Sequence, residues 1–217
     1  MQGRTIAIGD IHGCARALQR LLEQIDLQPD DTLITLGDYV NRGPDSNGVL
    51  DCLLTTMQRC HLIPILGNHD EMLLDAALKG TSIDRFLSKG GDATLRSYGL
   101  PLSFDQIPVR HIEFLQGCRS SFETETHFFL HANYRPDLPL NQQDDETIRW
   151  RSLRDSIPGP HFSGKIAVLG HTPQPEVLDE GHLLCLDTGC CRGGWLTAME
   201  VTTRQVWQTS QSGEVRH

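Results

Sequence analysis

Residues 35–44 read TLGDYVNRGP. The apolar run Leu33–Leu36 stops at Gly37, and a carboxylate, Asp38, follows at once. Three residues later come Asn41, Arg42, Gly43 and Pro44. Five other apolar runs end in the same manner. TIAIGDIHG (5–13) ends at Asp10 and His12, and LIPILGNHD (62–70) at Asn68 and His69. HFFLHAN (127–133) ends at His131, KIAVLGH (165–171) at His171, and HLLCLDTG (182–189) at Asp187. Four of the six place glycine directly before the polar residue, where a chain turns tightly or is closely approached. Strands of an open α/β sheet present their carboxyl ends to one crevice. The pattern therefore predicts that two aspartates, an asparagine and several histidines converge. A single acid after a strand commonly serves as a turn or cap, and Asp187 is read as a loop brace of that kind.

Outward from these runs the chain alternates. Leu18, Leu21, Leu22 and Ile25 recur at helical spacing after the run Thr5–Ile8. Asp45 or Ser46 caps a second helix with Val49, Leu50, Leu53, Leu54 and Met57 on its apolar face. Pro64 marks the run 62–66 as an edge strand, and 70–78 reads as a third helix. This βαβαβα order predicts an α/β fold with a largely parallel sheet, here a single domain over residues 1–217. Residues 80–125 are irregular. Further strands are expected at 127–130, 165–169, 183–186, 196–201 and 205–208, with a long Pro- and Gly-containing loop over 134–164 and a frayed tail from Thr209.

Composition narrows the classes. With a formal net charge of −9, the chain has no basic footprint for nucleic acid or an anionic membrane. No run has the length of a membrane span or the h-region of a signal peptide. The seven cysteines form no C-x-x-C pair, which argues against structural zinc and fits idle thiols in a reducing cytoplasm. Cys190-Cys191 is placed near a pocket rim. His61, His111, His127, His161, His182 and His217 are read as surface or packing residues, and Trp150 and Tyr134 as loop-packing aromatics, with stacking on a substrate base or ring as the alternative.

Imidazole, carboxylate and amide oxygen together suit first-row transition metals. Asp10, His12, Asp38, Asn68, His131 and His171 are too many ligands for one open catalytic metal, and two metals sharing a carboxylate use them all. Such a pair activates water and neutralises charge in displacement at phosphorus.

The blocks GDIHG (9–13), GDYVNRG (37–43), GNHD (67–70), His131 and GHT (170–172) resemble the signature of the PPP-type metallophosphoesterases, which include Ser/Thr protein phosphatases and symmetrical diadenosine tetraphosphatases. The resemblance spans residues 5 to 200. It implies the calcineurin-like sandwich of two mixed β-sheets flanked by helices. It also implies two divalent metals, manganese first, with iron or zinc as alternatives. On it, Asp10 and His12 bind one metal, Asp38 bridges, and Asn68, His131 and His171 complete the second. His69 is the general acid for attack by a metal-bridging hydroxide, Asn41 orients it, and Arg42 binds phosphate. A second phosphate-binding arginine falls in IRWRSLRD (148–155), with Arg151 favoured over Arg149 and Arg154, which are read as solvated charges.

One departure bears on substrate. The protein phosphatases of the family read GDxVDRG, whereas this chain has Asn41 at the second acid. An amide lends His69 no negative charge, which favours good leaving groups. The leading expectation is a phosphoprotein phosphatase acting on phosphomonoesters. The runner-up is a symmetrical dinucleoside tetraphosphate hydrolase, and a non-catalytic metal-binding scaffold is the alternative of another class.

Overall fold

Thr5–Ile8 forms β1, and Ile6, Ala7 and Ile8 are fully buried in it. A computed structural model describes residues 3–216. Strand β1 pairs in parallel with β2 (Thr32–Thr35), which pairs in parallel with β3 (His61–Pro64). Helices α1 (Ala15–Ile25), α2 (Ser46–Thr56) and α3 (Asn68–Lys79) follow these strands in turn. Helix α1 buries the predicted stripe of Leu18, Leu21, Leu22 and Ile25. Helix α2 starts at Asp45, whose carboxylate accepts the Gly48 N–H at 2.8 Å, a side-chain N-cap. Strand β3 closes one edge of the sheet, where Pro64 costs no ladder bond.

On the other side of β1 the expectation of a largely parallel sheet fails. Strand β10 (Trp195–Glu200) runs antiparallel to β1, β11 (Val206–Ser210) antiparallel to β10, and the short β9 (Asp187–Thr188) also pairs with β10. A brief connection joins β10 and β11, and only antiparallel neighbours can be joined so briefly. The sheet is therefore mixed, as the family resemblance implied.

The second sheet runs β4 (Phe122–Glu123), β5 (His127–Phe129), β6 (Ile166–Leu169), β8 (Leu183–Cys185) and β7 (Leu178–Asp179), in that order. Its three central strands are parallel, and its two edges antiparallel. The sheets meet through Ala7, Ile34, Leu36 and Ile65 against Phe129, Val168, Leu184 and Leu186. The helices cover the far side of the first sheet, and Tyr134, Ile148 and Leu153 pack on the far side of the second. Central strands buried on both faces need apolar residues at successive positions. That is why they read as continuous runs.

The irregular stretch after α3 holds α4 (Ile83–Phe86), a π turn (Leu87–Gly91), α5 (Asp92–Tyr98) and α6 (Val109–Gln116). The loop over 134–164 carries α7 (Asp145–Trp150), capped by Asp144. The tail is not frayed at Thr209. That residue is fully buried in β11 and donates its hydroxyl to the Ala17 carbonyl at 2.9 Å, and Arg216 pairs with Glu176. The strand expected at 205–208 runs on to Ser210, and polar Thr209 and Ser210 hid its end. His111, His127 and His161 are buried packing residues, His61 and His182 lie partly or fully at the surface, and His217 falls outside the described residues. Among the described residues no helix is long and apolar enough to cross a membrane.

Candidate active site

The polar strand ends meet at one rim. Two glycines make this possible. Gly37 adopts φ 101°, and a Cβ on Gly67 would lie 2.2 Å from the Asp38 nitrogen, so the loops after β2 and β3 touch backbone to backbone. Asp70 locks them together: its buried carboxylate accepts the N–H groups of Tyr39, Val40 and Gly67. His12, Asp38, Asn41, Arg42 and His171 all have positive φ. Non-glycine residues pay strain in that region, which concentrates at functional sites.

Three imidazoles are oriented by backbone carbonyls. His12 donates Nδ1–H to Val40 at 2.9 Å, His131 donates Nδ1–H to Leu36 at 2.7 Å, and His171 donates Nε2–H to Trp150 at 3.0 Å. Their other nitrogens are left as acceptors. His131 Nε2 lies 3.0 Å from Asn68 Oδ1 and 3.2 Å from His171 Nδ1, which is itself 3.1 Å from Asn68 Oδ1. Asp38 Oδ1 is 3.4 Å from His131 Nε2, and Asp38 Oδ2 is 3.3 Å from His12 Nε2. Lone pairs on these atoms face one another with no hydrogen between them. A cation is what such a donor set fits. The ligand atoms gather in two groups, His12–Asp38–His69 and Asp38–His131–His171, with Asp38 in both. Asp10 stands outside these two groups. Both its oxygens accept the His171 N–H, at 2.9 and 3.1 Å, which leaves further lone pairs on a carboxylate.

Electrostatics follow from burial. Burial lowers His12 and His171 to about 4 and His69 to about 3, against the pull of Asp38, so the three rings are neutral at neutral pH. Burial alone would raise Asp38, but His131 and the other imidazoles hold it below the usual carboxylate range. Asp10 is raised, by burial first and then by Asp187 and Asp38. Asp187 does brace its loop, accepting the Gly189 N–H at 3.0 Å, but it also adds a buried carboxylate beside the centre.

Arg42 lays its guanidinium across the rim, with Nη1 2.9 Å from His12 Nε2 and Nη2 3.0 Å from His69 Nε2. A guanidinium only donates, so His69 Nε2 accepts and Nδ1 carries the proton of the neutral ring. The Asn41 amide lies 2.9 Å from that Nδ1, and its other end lies 2.8 Å from Thr94 Oγ1. With Nδ1 as donor, the amide oxygen faces His69 and the amide nitrogen faces Thr94. Thr94 Oγ1 also accepts the Asn41 N–H, and Ser46 Oγ is 3.1 Å beyond. Sequence reasoning missed Thr94, which sits in the stretch without readable periodicity.

The three arginines near Trp150 part ways. Arg149 is not solvated: it is buried, ion-paired to Glu71 at 3.0 Å in a geometry too bent for a hydrogen bond, and paired also to Asp145. Arg151 is exposed and reaches Ser156, and Arg154 reaches the Pro173 carbonyl. Tyr134 is a packing residue, buried with its hydroxyl on the Gly159 carbonyl. Burial pushes Cys191 up to about 11, so it remains a thiol at neutral pH.

Residues 3–200 match the family model of the calcineurin-like phosphoesterases. The chain belongs to that family. This phosphoesterase is 30% identical over 212 residues to serine/threonine-protein phosphatase 1 of Salmonella typhimurium, covering 89% of this chain and 90% of the relative. It is 48% identical over 261 positions to the symmetrical bis(5'-nucleosyl)-tetraphosphatase of Delftia acidovorans, covering 88% of this chain and 90% of the relative. Among solved structures, one named provisionally as a diadenosine tetraphosphatase superposes with a TM-score of 0.74 at 25% identity, over 96% of this chain and 94% of the other. The family implies divalent metal ions, and the acceptor-only donor set above fits them. The phosphoesterase is thus an enzyme of phosphate-ester chemistry.

Proposed function

We propose that this phosphoesterase hydrolyses phosphoanhydrides, with symmetrical dinucleoside tetraphosphates as its substrate class. The observation that carries this is the neutral Asn41 amide, 2.9 Å from His69 Nδ1. That order reverses the expectation from sequence, which put phosphomonoesters first.

In this reading Asp10 and His12 hold one divalent cation, Asn68, His131 and His171 hold a second, and Asp38 serves both. Two such cations, manganese in the first instance, supply Lewis acidity and lower the pKa of water. Arg42 binds two oxygens of the scissile phosphate with its fork, and Arg151 is a candidate for a further phosphate contact. In its imidazolium form, protonated at both nitrogens, His69 faces the leaving oxygen through Nε2 and gives up that proton while keeping the one on Nδ1. Asn41 fixes the ring by accepting from Nδ1–H, but an amide contributes no charge to favour the imidazolium. A leaving phosphate is a weak base, with its second pKa near 6, and departs with little protonation. A serine or threonine alkoxide is a far stronger base and depends on the acid. The identity to named tetraphosphatases supports the same reading.

A second reading, phosphoprotein phosphatase, is favoured by length. The tetraphosphatase alignments that cover most of this chain run to 261–278 positions against its 217 residues, so those relatives carry stretches this chain lacks, whereas the Salmonella phosphatase aligns over 212. Side-by-side kcat/KM values for diadenosine tetraphosphate and a phosphothreonine peptide, with Mn²⁺, separate the two. The expected result is at least about a hundredfold preference for the anhydride, within the range general acid catalysis spans. A preference for the peptide would reject the proposal.

A further inference from the structure

Away from the rim, many cations of this acidic chain pair with carboxylates. Arg4 pairs with Asp31, Arg20 with Glu23, Arg96 with Asp92, Arg110 with Asp51 and Arg216 with Glu176. Arg85 differs. It is exposed on α4 and, among the described residues, makes no ion pair with a carboxylate. Its guanidinium instead stacks on the Trp150 ring, 3.9 Å from the ring centroid.

That ring is held firmly. Trp150 Nε1 donates to Glu71 Oε2 at 2.8 Å, and Glu71 is pinned from the other side by buried Arg149. The Trp150 carbonyl receives the His171 Nε2–H. A continuous chain of contacts thus runs from a candidate ligand, His171, through Trp150 to an unneutralised guanidinium. The π turn after α4 touches the site as well: the Gly90 carbonyl accepts the Arg42 N–H at 3.1 Å. The segment carrying Arg85 therefore lies against Arg42 through Gly90 and against Trp150 through Arg85 itself. Stacking on an aromatic face leaves all five guanidinium N–H groups at the ring's edge free to donate.

We propose that Arg85, presented by Trp150, is a specificity-determining residue that binds the phosphates beyond the scissile one. It selects substrates with an extended polyphosphate chain over simple monoesters. Arg42 is one fork for the phosphate under attack, and Arg85 is a second fork further along the chain. A monoester has no group to reach it. Trp150, at the end of α7, acts as the platform that fixes the fork.

This inference rests on the anhydride reading for its natural substrate, but its test need not. Arg85→Ala and Arg85→Lys enzymes are assayed with Mn²⁺ on p-nitrophenyl phosphate. Diadenosine tetraphosphate is then measured twice, as a substrate and as a competing ligand that inhibits p-nitrophenyl phosphate turnover. In the alanine variant the tetraphosphate KM and inhibition constant rise about tenfold, the loss of one charge-assisted contact. Its kcat, and kcat/KM for p-nitrophenyl phosphate, stay within about twofold. Lysine, which keeps the charge but loses the fork, recovers part of the affinity. An unchanged inhibition constant, or an equal loss on p-nitrophenyl phosphate, would overturn the role of Arg85. A wild-type enzyme that binds the tetraphosphate without cleaving it, while the alanine variant binds it tenfold more weakly, would uphold Arg85 and reject the anhydrolase reading alone.

Discussion

Asp38→Asn lowers kcat/KM on p-nitrophenyl phosphate by at least about a thousandfold, at the upper end of what a single electrostatic contact supplies. Among the described residues, Asp38 is the side chain shared by both groups of ligand atoms. Its Oδ2 faces His12, its Oδ1 faces His131, and Oδ1 also accepts the His69 N–H at 2.9 Å. Asparagine keeps the shape but replaces one oxygen by an NH₂ group, which donates where only acceptors are wanted. It also removes the one carboxylate held below its usual range amid four imidazoles. Far-UV circular dichroism should be unchanged, because the core contacts of β2 do not involve this side chain. A kcat/KM within tenfold of wild type would mean that Asp38 does not tie the two halves of the site together.

Asn41→Asp has the second largest effect, and its sign depends on the substrate. The new carboxylate faces His69 Nδ1–H and favours the charged ring, so the His69 pKa rises from its burial-lowered value. The fraction of His69 able to give a proton at neutral pH rises with it. For an alkyl phosphate kcat increases by about one to two orders of magnitude, the scale of general acid catalysis. The alkaline limb of the pH–rate profile then moves to higher pH. For diadenosine tetraphosphate both change little, because that leaving group asks little of the acid. Thr94 can donate to one carboxylate oxygen, so the buried charge is not left unpaired. An alkyl phosphate rate and profile identical to wild type would remove the leaving-group argument, and with it the observation on which the substrate proposal stands.

Much of the site was legible because its residues follow strands whose burial on both faces makes them conspicuous. Asp10, His12, Asp38, Asn68, His69, His131 and His171 each close an apolar run, and the parallel order of β1, β2 and β3 carries three of those runs to one rim. Contacts between segments distant in sequence were not legible. Thr94 bonds Asn41 from an irregular segment with no period to betray it. Arg149 looked like a surface charge because its partner Glu71 lies on another helix. The two-residue strands β4, β7 and β9 are too short to show alternation. Thr209 is buried by a bond to α1, at the other end of the chain, that polar composition could not announce. Asp187 followed the general rule for acids after strands in part. It caps its turn, yet its charge is felt at Asp10 because both strands end at the same rim.

On the proposed function these acceptors hold two divalent cations. Isothermal titration of the metal-stripped protein with Mn²⁺, read alongside elemental analysis after desalting, tests it most directly. Two bound ions per chain are expected for wild type and fewer than two for Asp38→Asn. A stoichiometry of one or none in the wild-type protein would contradict it.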